Sequence, residues 1–156
     1  MKLTLAFSWP GLVSFALPML VNIAYCAFPP SEKPEASAKV PRWLELVEQV
    51  SRAAYLLAMT LLVSREPASA RCVWLWLAAA FLALYHAAWL RYFLGGRKIA
   101  LLNRALLFVP MPLAVYPVLY FLCAAFWLHN LPAAGILPIF GAAHLAVSLR
   151  SFQQKG

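Results

Sequence analysis

Glu45, Glu48 and Arg52 recur at spacings of three and four residues, which puts them on one face of a helix. Two carboxylates and a guanidinium in that pattern can pair with each other, hold an anion or move a proton. Glu48 and Arg52 suit an i,i+4 ion pair. Glu45 then needs a base from another helix, or water at the end of its own. Gln49 and Tyr55 extend the polar face, and Leu46, Val47 and Val50 occupy the opposite one.

Other polar residues are set in long apolar runs. Asn22 shares a face with Ser14, Pro18 and Tyr25. Tyr85, Trp89 and Tyr92 form an aromatic stripe with His86 and Arg91 beside it, and Tyr116 and Tyr120 are about one turn apart. Gly141, His144 and Ser148 share a further face. Ionisable groups in such surroundings are costly to keep and point to a functional site. The candidate ligand-binding residues are therefore Asn22, Glu45, Glu48, Arg52, Tyr85, His86, Trp89, Arg91, Tyr116 and His144. Each also has a plain structural reading: aromatic residues at span ends form interfacial belts, arginines snorkel to headgroups, and histidines bond across helices.

Nothing in the sequence assigns a catalytic residue. HExxH, CxxC, GxSxG and phosphate-loop patterns are absent, so neither a metal nor a cofactor is expected. Cys26, Cys72 and Cys123 are far apart in sequence and lie in apolar segments, where cysteine acts as a small hydrophobe.

These residues have to be positioned by apolar elements. Of 156 residues, 64% are hydrophobic and 12% charged, against roughly 45–50% and roughly 25% in soluble domains. That excludes a soluble globular enzyme, a disordered chain and a disulfide-stapled secreted domain. The apolar runs lack period-two alternation, so helices are favoured over a barrel. The expected fold is all-α: a single polytopic integral membrane domain of five transmembrane helices at about 3–28, 42–64, 72–94, 104–128 and 132–149. The longest loop is 29–41. The first run is too long for a signal-peptide core and ends without a small-x-small cleavage site, so it is expected to be retained. Pro110, Pro112 and Pro117 should break or kink the fourth span.

The net charge of +8 comes from residues at span ends, which argues for membrane topology and against a nucleic-acid partner. Lys2, Arg65 and Arg71 lie on the side of the N-terminus. Lys33, Lys39, Arg42, Arg91, Arg97, Lys98, Arg104, Arg150 and Lys155 lie on the other. The positive-inside rule then puts the N-terminus outside and the C-terminus inside, in a bacterial inner (plasma) membrane. In that orientation most of the polar candidates converge on the cytoplasmic half, as a water-accessible vestibule would require.

Five spans with the longest loop after the first, together with VPRW at 40–43 and WLRYFLGGR at 89–97, resemble the tryptophan-rich sensory protein (translocator protein) family. The resemblance is confined to those two segments, and the loop PPSEKPEASAKVP has no tryptophan. It implies a ligand binder with a pocket on the cytoplasmic side. From the residues themselves, the expected function is binding or transport of an amphipathic or anionic small molecule or lipid. The partners would be membrane lipids and that molecule, with a second copy of the chain a candidate because so small a transporter would need to oligomerise. Two alternatives remain: an intramembrane lipid-modifying enzyme using Glu48 with His86 or His144, and an accessory subunit of a membrane complex.

Overall fold

A computed structural model describes residues 3–32 and 39–152. In chain order it contains β1 (Leu3–Leu5), α1 (Trp9–Ala27), α2 (Arg42–Leu61), β2 (Leu62–Ser64), α3 (Val73–Leu94), α4 (Ile99–Asn103), α5 (Pro112–Trp127) and α6 (Leu131–Phe152). The architecture is all-α, five long helices in a bundle. At one end β1 and β2 make a short antiparallel ribbon, with Leu3 opposite Ser64.

Helices α1, α3 and α6 are long and apolar enough to cross a membrane. Helix α5 is apolar but has 16 residues, about 24 Å at 1.5 Å per residue. Helix α2 has 20 residues and carries Arg42, Glu45, Glu48 and Arg52 in its first three turns. The outer surface is apolar: Leu20 and Ile23 of α1, Leu46 and Val50 of α2, and Trp76 and Leu90 of α3 are all exposed. A surface of that kind suits lipid and not water.

Several boundaries differ from the sequence-based expectation, each for a local reason. The first helix begins at Trp9 and not near residue 3, because residues 3–5 pair with β2. Ser8 then caps it, its Oγ accepting from the Gly11 N–H at 3.0 Å, and Pro10 sits in the first turn where no donor is needed. The second helix stops at Leu61 for the same pairing. The fourth starts only at Pro112. Pro110 and Pro112 disfavour helix at the residues before them, and Met111 takes a left-handed conformation at φ 53°. Upstream, Leu106 and Val109 bridge across a tight turn whose central residues, Leu107 and Phe108, both have positive φ. The short α4 lies in the connector between the third and fourth expected spans. The third span matches to within a residue, and Gly95 and Gly96 end it, Gly96 at φ +79°.

Helix α2 packs along α6, and α3 along α5. Helix α1 is seated more lightly and approaches α2 closely at Gly11, where any Cβ would run into the Met59 carbonyl. Pro18 has no N–H, so the Ser14 carbonyl loses its helical donor. The Tyr120 hydroxyl of α5 donates to that carbonyl instead, at 2.7 Å.

Asn130 makes the corresponding tie at the ribbon end. It is 1% exposed. Its Nδ2 donates to the carbonyls of Ala58 at 2.7 Å and Leu62 at 2.9 Å, and its Oδ1 accepts from the Ala133 N–H at 3.1 Å. It therefore caps the start of α6 while holding the end of α2. Asn130→Ala should cost roughly 2–3 kcal/mol, a lost cap plus a lost donor to the Leu62 carbonyl, while the Ala58 carbonyl keeps the Leu62 N–H. Thermal unfolding in detergent should show a lowered midpoint, with Asn130→Ser, which keeps a cap oxygen, falling between the two. An unchanged midpoint for Asn130→Ala would contradict this role.

Candidate functional site

The buried stripe of α2 runs through Leu44, Glu48, Ser51, Tyr55 and Ala58, alternating four and three apart as a packed helix face does. Glu48 is thus directed at α6, where His144 meets it: His144 Nδ1 lies 2.8 Å from Glu48 Oε1. Arg52, one turn on, pairs with the same carboxylate oxygen. The Glu48 side chain is 9% exposed and that of Arg52 43%, so the carboxylate stays behind and the guanidinium reaches out. Phe140 of α6 lies beside both partners, its ring stacked on that of His144 at 5.2 Å and 13°. The Arg52 guanidinium lies 5.5 Å from the Phe140 ring centre.

The hydrogen-bond logic assigns the histidine tautomer. A carboxylate in an ion pair has no proton to give, so Nδ1 carries the hydrogen and donates it to Glu48. The other nitrogen, Nε2, is left as an acceptor.

This trio borders a cavity of about 380 Å³ in the middle of the bundle. All five long helices contribute to its wall. The polar wall is Asn22 from α1, Arg52 and Tyr55 from α2, Tyr85 and Trp89 from α3, and His144 from α6. The apolar wall includes Phe15, Met19, Leu113, Pro117, Phe121 and Phe140. Asn22 and Tyr85 are joined, the Tyr85 hydroxyl donating to Asn22 Oδ1 at 3.2 Å. A second cavity of about 250 Å³ adjoins the first. It shares Trp89, Leu113 and His144 and extends past Tyr25 and Ser148 to Asn103 of α4. His144 therefore stands where a central chamber meets one leading to the connector end of the bundle.

Of the residues singled out by sequence, Asn22, Arg52, Tyr85, Trp89 and His144 line the central cavity, and Glu48 backs His144. The other four lie elsewhere. Glu45 is exposed, one position off the buried stripe of α2. His86 turns back on its own helix, Nδ1 lying 2.8 Å from the Leu82 carbonyl. Arg91 ties the end of α3 to the connector, donating to the carbonyls of Ala105 at 2.9 Å, Leu101 at 3.0 Å and Arg104. Tyr116 is buried and donates to the Leu106 carbonyl at 2.8 Å. Phe140 was not singled out. Its signal was its place one turn before His144, but a phenylalanine in an apolar helix does not stand out until its neighbours across the bundle are known.

Chemically, the site offers one cation, one shielded anion and one basic imidazole nitrogen beside an aromatic chamber. The nearby Ser51 hydroxyl is engaged with its own backbone, at 2.5 Å from the Val47 carbonyl and 3.1 Å from that of Glu48. Among the described residues no group of three or more His, Cys, Asp or Glu is placed to hold a metal ion.

The bond between α2 and α6 has a measurable signature. Glu48→Gln and His144→Gln should each destabilise the chain by roughly 1–3 kcal/mol, because each leaves a buried partner unmatched. The double variant should lose less than the sum, by about 1 kcal/mol, as expected of groups in contact. Strictly additive losses in detergent melts would contradict the contact. In comparisons with known proteins, no family model, no curated protein and no solved structure matches this chain.

Proposed function

We propose that the chain is a five-span integral membrane protein, N-terminus outside and C-terminus inside, in a bacterial inner membrane. Its central cavity binds, and in a fuller assembly transports, an amphipathic or anionic small molecule or lipid. The observation that carries this reading is the cavity itself: five helices converge on it, its wall is largely aromatic, and its polar groups gather at one place. An acyl or ring system would lie against Tyr55, Phe121 and Phe140. Its head would meet Arg52, His144 and Asn22.

The arrangement of the junctions supports an odd number of spans. The β1–β2 pairing brings the N-terminal segment beside the start of the 65–71 turn. Trp127 Nε1 donates to the Ser69 carbonyl at 3.1 Å, which brings the end of α5 to the same end of the bundle. In five spans those segments share one face of the membrane. The broken start of the fourth span is the segment best suited to move, because Met111 there is left-handed and sits between Pro110 and Pro112.

A second reading, intramembrane modification of a lipid, is favoured by one observation, the Glu48–His144 contact. There Nε2 would serve as general base.

Native mass spectrometry of the protein in mild detergent, with extraction of whatever co-purifies, separates these readings. Binding predicts one amphiphile per chain, released chemically unchanged, with occupancy reduced about tenfold or more in Arg52→Leu, as loss of a charge-assisted contact implies. Release of a modified lipid, abolished in His144→Gln, would favour the enzyme. A protein empty under all extraction conditions would count against both. Thiol labelling of Ser31→Cys from the cytoplasm and of Ala68→Cys from outside, in a chain freed of its native cysteines, should confirm the orientation; the reverse pattern would overturn it.

A further inference from the structure

The charges around the central cavity set a condition on what it can hold. With His144 neutral, Arg52 and Glu48 cancel, and the trio has no net charge. The ionisable or phenolic groups facing His144 from the surrounding helices are Glu48, Arg52 and Tyr55 on α2, Tyr85 on α3 and Tyr25 on α1. Helices α4 and α5 contribute only Leu102, Asn103 and uncharged residues such as Leu113 and Pro117 to these walls. An anionic head entering here would thus be an unmatched charge in an apolar enclosure, which is expensive. One proton removes the mismatch, and the geometry provides one place for it. Nδ1 of His144 is already committed to Glu48, so the proton goes to Nε2 of a ring that lines both cavities.

We propose that an anionic amphiphile binds this site together with one proton, taken up on Nε2 of His144, while Glu48 holds the resulting imidazolium from behind. The inference rests on the binding reading above and adds its coupling. The protonated ring then donates to Glu48 through Nδ1–H and to the head through Nε2–H, with Arg52 beside it. An uncharged amphiphile needs no such partner and takes up no proton. The sign follows: the bound state holds one more proton than the free state, so anion affinity rises as pH falls. Wherever the free site is unprotonated and the bound site holds the extra proton, affinity declines by about tenfold per pH unit.

The test is calorimetric titration of the whole chain in nanodiscs of uncharged lipid, corrected with empty nanodiscs. The probes are decane-1-sulfonate, which stays ionised throughout, and decan-1-ol. Running each titration in two buffers of different ionisation enthalpy counts the protons exchanged. The expected result is uptake of about one proton per sulfonate and none per alcohol, as one-proton linkage requires. His144→Gln should abolish the uptake and weaken sulfonate binding at pH 6 by about tenfold or more. Glu48→Gln should have the opposite consequence for coupling: with the balancing anion gone, sulfonate binds without proton uptake and with a flat pH profile. That pair of outcomes would not arise if the two residues only packed the helices. Sulfonate binding to the unaltered chain without proton uptake would overturn the coupling and leave the binding reading standing. So would uptake that survives in His144→Gln, or alcohol binding with no sulfonate binding at any pH. Failure of both probes to bind would overturn both.

Discussion

A carboxylate sunk in an apolar bundle has to be matched, and the arrangement around Glu48 follows from that requirement. Removal of charge from water is repaid only by close, well-directed partners, and Glu48 has two. Arg52 comes from the same helix, one turn away, and would be there whatever the fold. His144 comes from α6, 96 positions along the chain, and is there only because α2 and α6 pack side by side. The contact thus selects the register of those helices while it orients an imidazole at the cavity wall. Phe140 contributes by flanking both partners, its ring stacked on His144 and close to the Arg52 guanidinium.

The same demand for matched polar groups explains how α1 tolerates Pro18. Each interior proline withholds one donor from a carbonyl a turn earlier, and in an apolar medium that carbonyl needs another. At Pro18 the substitute is the Tyr120 hydroxyl, which also fastens the lightly seated α1 to α5. At the other end of α2 the terminal carbonyls are met by Asn130. Around the cavity, by contrast, Arg52 is left partly open. At the Pro18 and Asn130 joins polar groups are met, and at the chamber wall Arg52 stays partly open and the buried Trp89 Nε1 has no partner.

Much of this was legible in the sequence, and the failures are local. The long apolar runs carry their helices plainly, and the spacing of Glu48 and Arg52 shows their pair. Burial of Glu48 rather than Glu45 was not legible. Both lie near one face, and only the 4,3 alternation through Leu44, Ser51, Tyr55 and Ala58 separates them by the width of one position. The partnership with His144 was out of reach because it depends on which helices adjoin. Hydropathy also overran the ends of the first, second and fourth long helices and fell short of the last. The strand at 3–5 forms only because β2 is there to pair with it, and the segment before Pro112 is apolar yet barred from helix by its prolines. His86, Arg91 and Tyr116 have the residue types of a binding site but spend their polar atoms on nearby carbonyls, a choice that composition does not reveal.

The site turns on Glu48 holding the Nδ1–H of His144, which leaves Nε2 as the free nitrogen of a ring at the cavity wall. Nitrogen-15 NMR of the histidine-labelled protein in lipid, with His86 and His129 replaced for assignment, reads the tautomer directly. At high pH the hydrogen should reside on Nδ1, with Nε2 unprotonated, and Glu48→Gln should shift the Nδ1 resonance. A hydrogen on Nε2 instead, indifferent to Glu48→Gln, would contradict that arrangement.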